Sequence, residues 1–125
     1  MEIDVRILIA DSNSDVREVV AGFCGAISKG VEAVLMARDS AEAIRWASDL
    51  SVDVVVIDND LPRLGGIKTA DLLRKRGFKG KIITTGGCSR SPGKRRFAHL
   101  SKPFNLHEFL SVVLDRSPGS IAQGS

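Results

Sequence analysis

VDVVVIDNDLPRLGG, residues 52–66, has the pattern of a buried strand that ends in an acidic turn. The apolar run over 52–57 is typical of a strand covered on both faces of a parallel sheet. Asp58 follows this strand directly, and Asp60 and Pro62 lie in the turn. Open α/β sheets place their ligand sites at the carboxyl ends of the strands, so Asp58 is the first candidate site residue. Asp is also common in turns, and this stretch alone leaves a turn-forming role open.

Length and composition limit the class of protein. The 125 residues fit one domain, expected over 1–116, with a flexible tail over 117–125. Hydrophobic residues make up 43% and charged residues 26%, which is ordinary for a globular domain and excludes a fibrous or disordered chain. No apolar run approaches the ~20 residues that span a membrane, and charges near the start interrupt any signal-peptide pattern. Cys24 and Cys88 fit no zinc or CxxC spacing, so we expect reduced thiols and a cytoplasmic location.

Strand and helix patterns alternate along the whole chain. Further strands are predicted over 6–10, 31–36, 81–84 and 97–101. Between them, helical spacing predicts a first helix that ends near Lys29-Gly30, a second helix after residue 40, a third after Gly66 through about Lys75 and a last one from Asn105. This alternation predicts an α/β, doubly wound domain whose parallel sheet is covered on both faces.

The helix ends and inner faces can be predicted as well. Ser12 or Ser14 is expected to cap the first helix and Asp39 or Ser40 the second, while Asn105 and Glu108 form a capping-box pattern. The apolar positions expected to face the core of the first, third and last helices are Val16, Val19, Val20, Phe23, Ile27, Ile67, Ala70, Leu72, Leu73, Leu106, Phe109, Leu110, Val113 and Leu114. In the second helix, Trp46 is expected to be a half-buried packing residue.

Four polar residues follow predicted strands: Asp11, Asp58, Thr85 and Lys102. Because the carboxyl ends of neighbouring parallel strands converge, these side chains are expected to meet in one shallow pocket. Paired carboxylates bind a hard divalent ion such as Mg²⁺ through oxygen, and a lysine adds a positive charge for a phosphate oxygen. The set favours phosphoryl transfer onto Asp58.

In these motifs the chain resembles the receiver domains of two-component response regulators, over nearly its full length to about residue 116. The resemblance is carried by Asp11, by IDNDLPRLGG around Asp58, by Thr85 followed by glycine, and by Lys102-Pro103-Phe104. It implies a flavodoxin-like five-stranded sheet of order 2-1-3-4-5 and a cis bond between Lys102 and Pro103. It also implies that Asp58 accepts a phosphoryl group, that the Thr85 hydroxyl moves toward that group, and that Lys102 pairs with it.

The resemblance further implies a cofactor and partners. Mg²⁺ would be held by Asp11, Asp58 and the backbone carbonyl of Asp60, and the phosphoryl donor would be a histidine kinase or a histidine phosphotransfer protein. A downstream target protein, which the sequence does not name, would recognise the phosphorylated form. The chain is expected to be a monomer or a weak homodimer.

Three departures from the family pattern bear on function. Ser12 stands where the family usually has a second acid, which should weaken Mg²⁺ binding, and the Asp60 side chain is a candidate to replace the missing charge. The interval from Thr85 to Lys102 is short, so the family's fourth helix is expected to be short or disordered and residues 87–96 to form a loop. Some stand-alone receivers have a Phe-Ala-Thr-Gly motif at this strand. Of that motif, only the Thr-Gly part is present here, at 85–86. His99 occupies the aromatic switch position, where two interpretations are open: an imidazole that reads phosphorylation or pH, and a plain packing or surface histidine.

These features give a leading function and an alternative. The leading one is a single-domain response regulator, not an enzyme beyond its own phosphoryl transfer and autodephosphorylation. The alternative is a degenerate receiver that acts as a phosphorylation-independent interaction module. Nucleic-acid binding, which would rest only on basic residues between 79 and 96, is not favoured, and the glycines near Lys94 do not match the phosphate-loop spacing.

Overall fold

The computed structural model describes residues 5–25, 31–49, 51–86 and 97–114. Within them, five parallel strands form one sheet of order β2-β1-β3-β4-β5. The strands are β1 (Val5–Ala10), β2 (Val31–Ala37), β3 (Val54–Asp58), β4 (Lys81–Gly86) and β5 (Ala98–Ser101). The predicted fold class and strand order are therefore confirmed. β4 runs two residues further than predicted, because Thr85 and Gly86 still pair with β5.

Four helices flank the sheet in the described residues: α1 (Ser14–Gly25), α2 (Ser40–Asp49), α3 (Gly66–Lys75) and α4 (Leu106–Val113). α1 is capped by Asn13, whose Oδ1 accepts hydrogen bonds from the backbone N–H of Asp15 at 2.8 Å and of Val16 at 3.3 Å. The prediction of Ser12 or Ser14 as its cap was therefore wrong. At α2, Asp39 Oδ1 accepts from Glu42 N at 2.9 Å, and at α4 the predicted capping box of Asn105 and Glu108 is present.

The core lies in two layers, one on each face of the sheet. Val54 and Val56 of β3 face one layer, while Val55 and Ile57 face the other, as expected from the alternation of side chains along a strand. The first layer includes residues of α1 and α4, and the second those of α2 and α3. Trp46 is half-buried against the second layer, as predicted.

Three predicted inward positions are exposed: Val19 at 53%, Ile67 at 45% and Leu114 at 43%. In α1, the inner line is formed by Val20 and Cys24, which are one turn apart, and Val19 lies beside it. In α4, Val112 and Val113 are buried and Leu114 already lies beyond the helix. Each of these exposed residues lies about one helical position from the buried face. The predictions were wrong because apolar residues also occur beside the buried face and not only on it.

Some predictions fall outside the described residues. They concern Ile27 and the helix end near Lys29-Gly30, Cys88, the loop over 87–96 with its shortened fourth helix, and the tail over 117–125. In the part of the chain that the structure describes, no helix has the length and apolar character needed to cross a bilayer.

Candidate functional site

The strand register brings the four predicted site residues to one edge of the sheet. Asp58 at the end of β3 lies opposite Thr85 of β4, and Asp11 and Lys102 follow the last paired residues of β1 and β5. Asp11, Asp58 and Thr85 are 2%, 8% and 2% exposed. Two carboxylates and a hydroxyl are therefore largely removed from water at the carboxyl edge, as the sequence predicted.

Lys102 joins the two carboxylates. Its Nζ lies 2.9 Å from Asp11 Oδ2 and 3.5 Å from Asp58 Oδ1, and its backbone N–H donates to Gly86 O at 2.7 Å. Burial by itself would lower the pKa of Lys102, but the hydrogen bond and charge of Asp11, together with the charge of Asp58, raise the pKa above its ordinary value. Lys102 is therefore a fixed ammonium between two acids.

Two residues that were not predicted from the sequence to belong to the site hold Asp11. Asn13 N donates to Asp11 Oδ1 at 2.9 Å, and Arg17 Nη1 donates to Asp11 O at 2.7 Å. Asn13 could have been identified from its place before an amphipathic helix, since Asn is a preferred helix cap. Arg17 gave no sequence signal, because its partner is a backbone carbonyl six residues earlier.

The loop after Asp58 is held at several points. Asp60 N donates to Asp58 Oδ1 at 3.2 Å, and Asn59 N donates to Thr85 O at 2.8 Å. Further along, Ser40 N donates to Pro62 O at 3.2 Å. These bonds tie the end of β3 and the loop after it to the neighbouring strand β4 and to the start of α2.

The segment after Lys102 is held by aromatic packing. The Lys102-Pro103 peptide bond is cis, as predicted. Phe104 then packs with Phe23 of α1 and Phe109 of α4, with ring centroids 6.1 and 6.2 Å away. Aromatic contacts at such distances are favourable, so this cluster fixes the backbone from which Lys102 extends.

The donor set bears on whether a metal ion fits. Asp11 and Asp58 supply buried carboxylate oxygens, which are the ligand type that Mg²⁺ prefers. Ser12 and Asp60 are exposed, and the described residues contain no group of three or more His, Cys, Asp or Glu that could hold a metal. The residues thus fit a hard cation with two carboxylates, and metal ligation by the Asp60 side chain stays a prediction.

His99 is buried, at 2% exposure, and its Nδ1 lies 2.8 Å from Thr84 Oγ1. The surface reading of this histidine is excluded. Thr84, which was not predicted as a site residue, pairs with His99 in the strand register and is 3% exposed.

An open parallel sheet with acids, a hydroxyl and a lysine at its carboxyl edge defines a class of small doubly wound α/β domains. Residues 7–114 match the family described as response regulator receiver domain. The chain belongs to that family, the receiver domains of two-component systems.

Curated relatives agree with this assignment. The response regulator MprA of Mycobacterium sp. (strain KMS) is 31% identical over 115 residues, which cover 86% of this chain and 48% of MprA. The CAI-1 autoinducer sensor kinase/phosphatase CqsS of Vibrio cholerae is 26% identical over 111 residues, 89% of this chain and 16% of CqsS. The chain thus spans half or less of the length of these relatives.

Solved structures show the same fold at lower identity. CheX–CheY–BeF3–Mg, a complex from Borrelia burgdorferi, contains a chain that matches with a TM-score of 0.77 and 16% identity, over 90% of this chain and 88% of that chain. The receiver domain of the sensor histidine kinase PA1611 from Pseudomonas aeruginosa PAO1 matches with a TM-score of 0.73 and 20% identity, over 88% and 94%. That structure has a magnesium ion coordinated in its active site cleft.

Proposed function

We propose that this receiver accepts a phosphoryl group on Asp58 and signals through protein–protein contacts, as a stand-alone response regulator does. The observation that carries the proposal is the position of Lys102 Nζ, 2.9 Å from Asp11 and 3.5 Å from Asp58, beside Thr85 in register with Asp58. An aspartate that was only a turn former would not require a half-buried lysine and a second, buried acid beside it. The domain acts on no separate substrate, and its chemistry is confined to gaining and losing the phosphoryl group.

The reaction follows from the charges at the site. A carboxylate oxygen of Asp58 attacks phosphorus, an O–P bond forms, and the P–N bond of a donor phosphohistidine breaks with its electron pair left on the imidazole. Lys102 offsets the negative charge of the phosphoryl oxygens, and the Thr85 hydroxyl can donate to one of them. Mg²⁺, when bound by the carboxylates of Asp11 and Asp58 and the carbonyl of Asp60, would supply further positive charge.

A surface for the donor protein lies next to Lys102. A groove of about 470 Å³ runs between α1 and residues 102–104, and its lining includes Val16, Val19, Phe23 and Phe104. The exposed Val19 and the aromatic rings make it largely apolar. A histidine kinase or phosphotransfer protein that brings a phosphohistidine to Asp58 would contact this groove, since Lys102 borders both.

Ser12 favours a second candidate function, a receiver that binds its target without phosphorylation. The exposed hydroxyl at this position leaves the site with two carboxylates in place of three. The presence of Asp58, Thr85 and Lys102 at one edge of the sheet argues against this alternative, because a module without phosphoryl chemistry has no need of them.

Labelling with acetyl phosphate and Mg²⁺, followed by intact mass measurement, tests the proposal. We expect the wild type to gain the mass of one phosphoryl group and Asp58→Asn to gain none. Asp53→Asn, which changes an exposed acid at the opposite edge of the sheet, is the matched control and should label like the wild type. A wild type that gains no phosphoryl group, or a label that persists in Asp58→Asn, would favour the phosphorylation-independent module.

A further inference from the structure

The acceptor loop, residues 59–65, follows Asp58 and is joined to α2 by one buried serine. Ser40, the first residue of α2, donates its backbone N–H to Pro62 O at 3.2 Å. Its hydroxyl oxygen accepts from the backbone N–H of Leu64 at 3.3 Å. Ser40 is 1% exposed, so water is not an alternative partner for its hydroxyl. Ser40 therefore holds the acceptor loop on both sides of residue 63.

The residue between these two bonds has a backbone conformation that needs support. Arg63 has a φ of 83°, in the left-handed region that residues with a Cβ rarely adopt. Such a conformation persists where the surrounding contacts specify it. The ion pair of Arg63 Nε with Asp39 Oδ2, at 3.4 Å, contributes little, because the two side chains are 66% and 27% exposed. The bonds of Ser40 are therefore the stronger restraint on this turn.

Hydrogen bonds continue from the turn to the acceptor carboxylate. Leu61 O accepts from Gly65 N at 2.9 Å, which closes the turn that Ser40 holds. Leu61 N donates to Asp58 O at 3.0 Å, and Asp60 N donates to Asp58 Oδ1 at 3.2 Å. Because peptide units are planar, a rotation in the turn reorients the N–H groups next to it. The orientation of the Asp58 carboxylate therefore depends on the loop conformation that Ser40 maintains.

The carboxylate of Asp58 is held by one of its two oxygens. Asp60 N and Lys102 Nζ both contact Oδ1, at 3.2 and 3.5 Å, so Oδ2 is the oxygen placed to attack phosphorus. We propose that Ser40 is a positioning residue for phosphoryl transfer, which holds the acceptor loop so that the Asp58 carboxylate keeps this orientation. The inference rests on the proposed function, since it concerns the reactivity of Asp58. Ser40 acts through the loop and not by contact with the reacting atoms, and its loss lets the carboxylate rotate away from the reactive orientation.

The test is to remove the hydroxyl of Ser40 and to measure labelling, Mg²⁺ affinity and stability. Ser40→Ala keeps the backbone N–H and loses the acceptor of Leu64 N. Labelling of Asp58 by acetyl phosphate, followed as intact mass against time, should slow by about three- to tenfold, the size expected for one lost hydrogen bond. The Mg²⁺ dissociation constant, followed through the backbone amide signal of Asp58, should rise by a similar factor. The amide hydrogen of Leu64 should exchange faster with water.

Two further variants serve as controls. Ser48→Ala removes another hydroxyl of α2, which donates to Ile44 O at 2.7 Å within the helix, and this variant should label at the wild-type rate. Ser40→Cys fills nearly the same space as the serine, but its sulfur is a weak acceptor, so labelling should slow as well. The cysteine variant provides the measurement if Ser40→Ala does not fold.

The outcomes separate the inference from the proposed function. A substitution that only destabilises the fold lowers the urea midpoint but leaves the labelling rate and the Mg²⁺ affinity of the folded protein unchanged. That result in Ser40→Ala, or in Ser40→Cys if the alanine variant does not fold, overturns the inference and leaves the proposed function intact. Equal slowing in Ser48→Ala also overturns the inference. Absence of any mass increase in the wild type overturns the proposed function, and with it the role of Ser40 in phosphoryl transfer.

Discussion

At the scale of single residues, Ser12 determines how much negative charge the site offers to a cation. Asp11 and Asp58 are both ion-paired with Lys102, at 2.9 and 3.5 Å, so their charge is partly offset before any metal arrives. Affinity for a hard divalent ion at an oxygen site depends on the number of charged ligands. A hydroxyl at position 12 therefore lowers the affinity for Mg²⁺ relative to a carboxylate there.

Ser12→Asp is expected to tighten Mg²⁺ binding by about tenfold, equivalent to about 1.4 kcal/mol. The added carboxylate lies next to Asp11 at the same edge and restores a third negative charge. The measurement is an Mg²⁺ titration followed through the backbone amide signals of Asp58 and Thr85. Ser12→Asn has nearly the shape of the aspartate without its charge, and equal affinities of the Asp and Asn variants would contradict the electrostatic argument.

The residues of the site could be predicted from the sequence when their position was set by a strand end. Asp11, Asp58, Thr85 and Lys102 each follow an apolar run, and parallel strands bring such positions together. The contacts of Arg17 and Thr84 could not be predicted, because they depend on which way a side chain turns within the folded domain. Burial of His99 likewise depends on the pairing of β4 with β5, which brings His99 against Thr84, 15 residues earlier in the sequence.

At the scale of elements, the backbones of β3 and α3 approach each other closely beside Asp58. A Cβ on Gly66 would lie 2.5 Å from Asp58 O and 2.8 Å from Asn59 Cα, which are backbone atoms and cannot move independently. Gly66 N also donates to Asn59 O at 2.9 Å. α3 can begin this close to the acceptor strand only because residue 66 has no side chain.

Gly66→Ala is expected to lower the free energy of unfolding by about 1–3 kcal/mol, because overpacking forces the backbone apart. Labelling of Asp58 by acetyl phosphate should fall as well, since the displaced atoms belong to the acceptor loop. Gly22→Ala in α1 is the matched control, because its Cβ would have no neighbour within 4 Å. It should stabilise the protein by up to about 1 kcal/mol through helix propensity. Urea unfolding of both variants is the measurement, and similar effects of the two substitutions would contradict the packing argument.

The order and type of the elements followed from hydrophobic periodicity, and the details of their packing did not. α3 ends at Lys75 as predicted and begins at Gly66, one residue before the predicted start. Val19 and Ile67 continue apolar patterns but are exposed. Their exposure could not be predicted, because the sequence does not show how much of each helix surface the neighbouring layer covers. Val19 lines the groove beside Lys102, so this exposed apolar residue of α1 lies on the surface that we propose contacts the donor protein.

At the scale of the whole molecule, the layer that joins α1 and α4 to the sheet contains a titratable group. Cys24 is fully buried in this layer together with Ile9, Val20 and Phe109. Burial disfavours the thiolate and raises the pKa of Cys24 from 9.0 to about 11, against the opposite but smaller effect of a backbone hydrogen bond. The folded state therefore keeps the neutral thiol at a pH where the unfolded chain already loses the proton.

The free energy of unfolding should consequently fall as pH rises from 9 to 11. The contribution of Cys24 is fully present below pH 9 and is lost through the folded pKa of about 11, a total of about 2–3 kcal/mol. Lys102, whose pKa is also raised, adds a loss of the same sign above its ordinary pKa of 10.5. The difference between wild type and Cys24→Ala isolates the thiol, because Lys102 is present in both. Urea unfolding at intervals from pH 8 to 11 should show this difference shrinking only above pH 9, and a constant difference across that range would show that Cys24 ionises equally in the folded and unfolded chains.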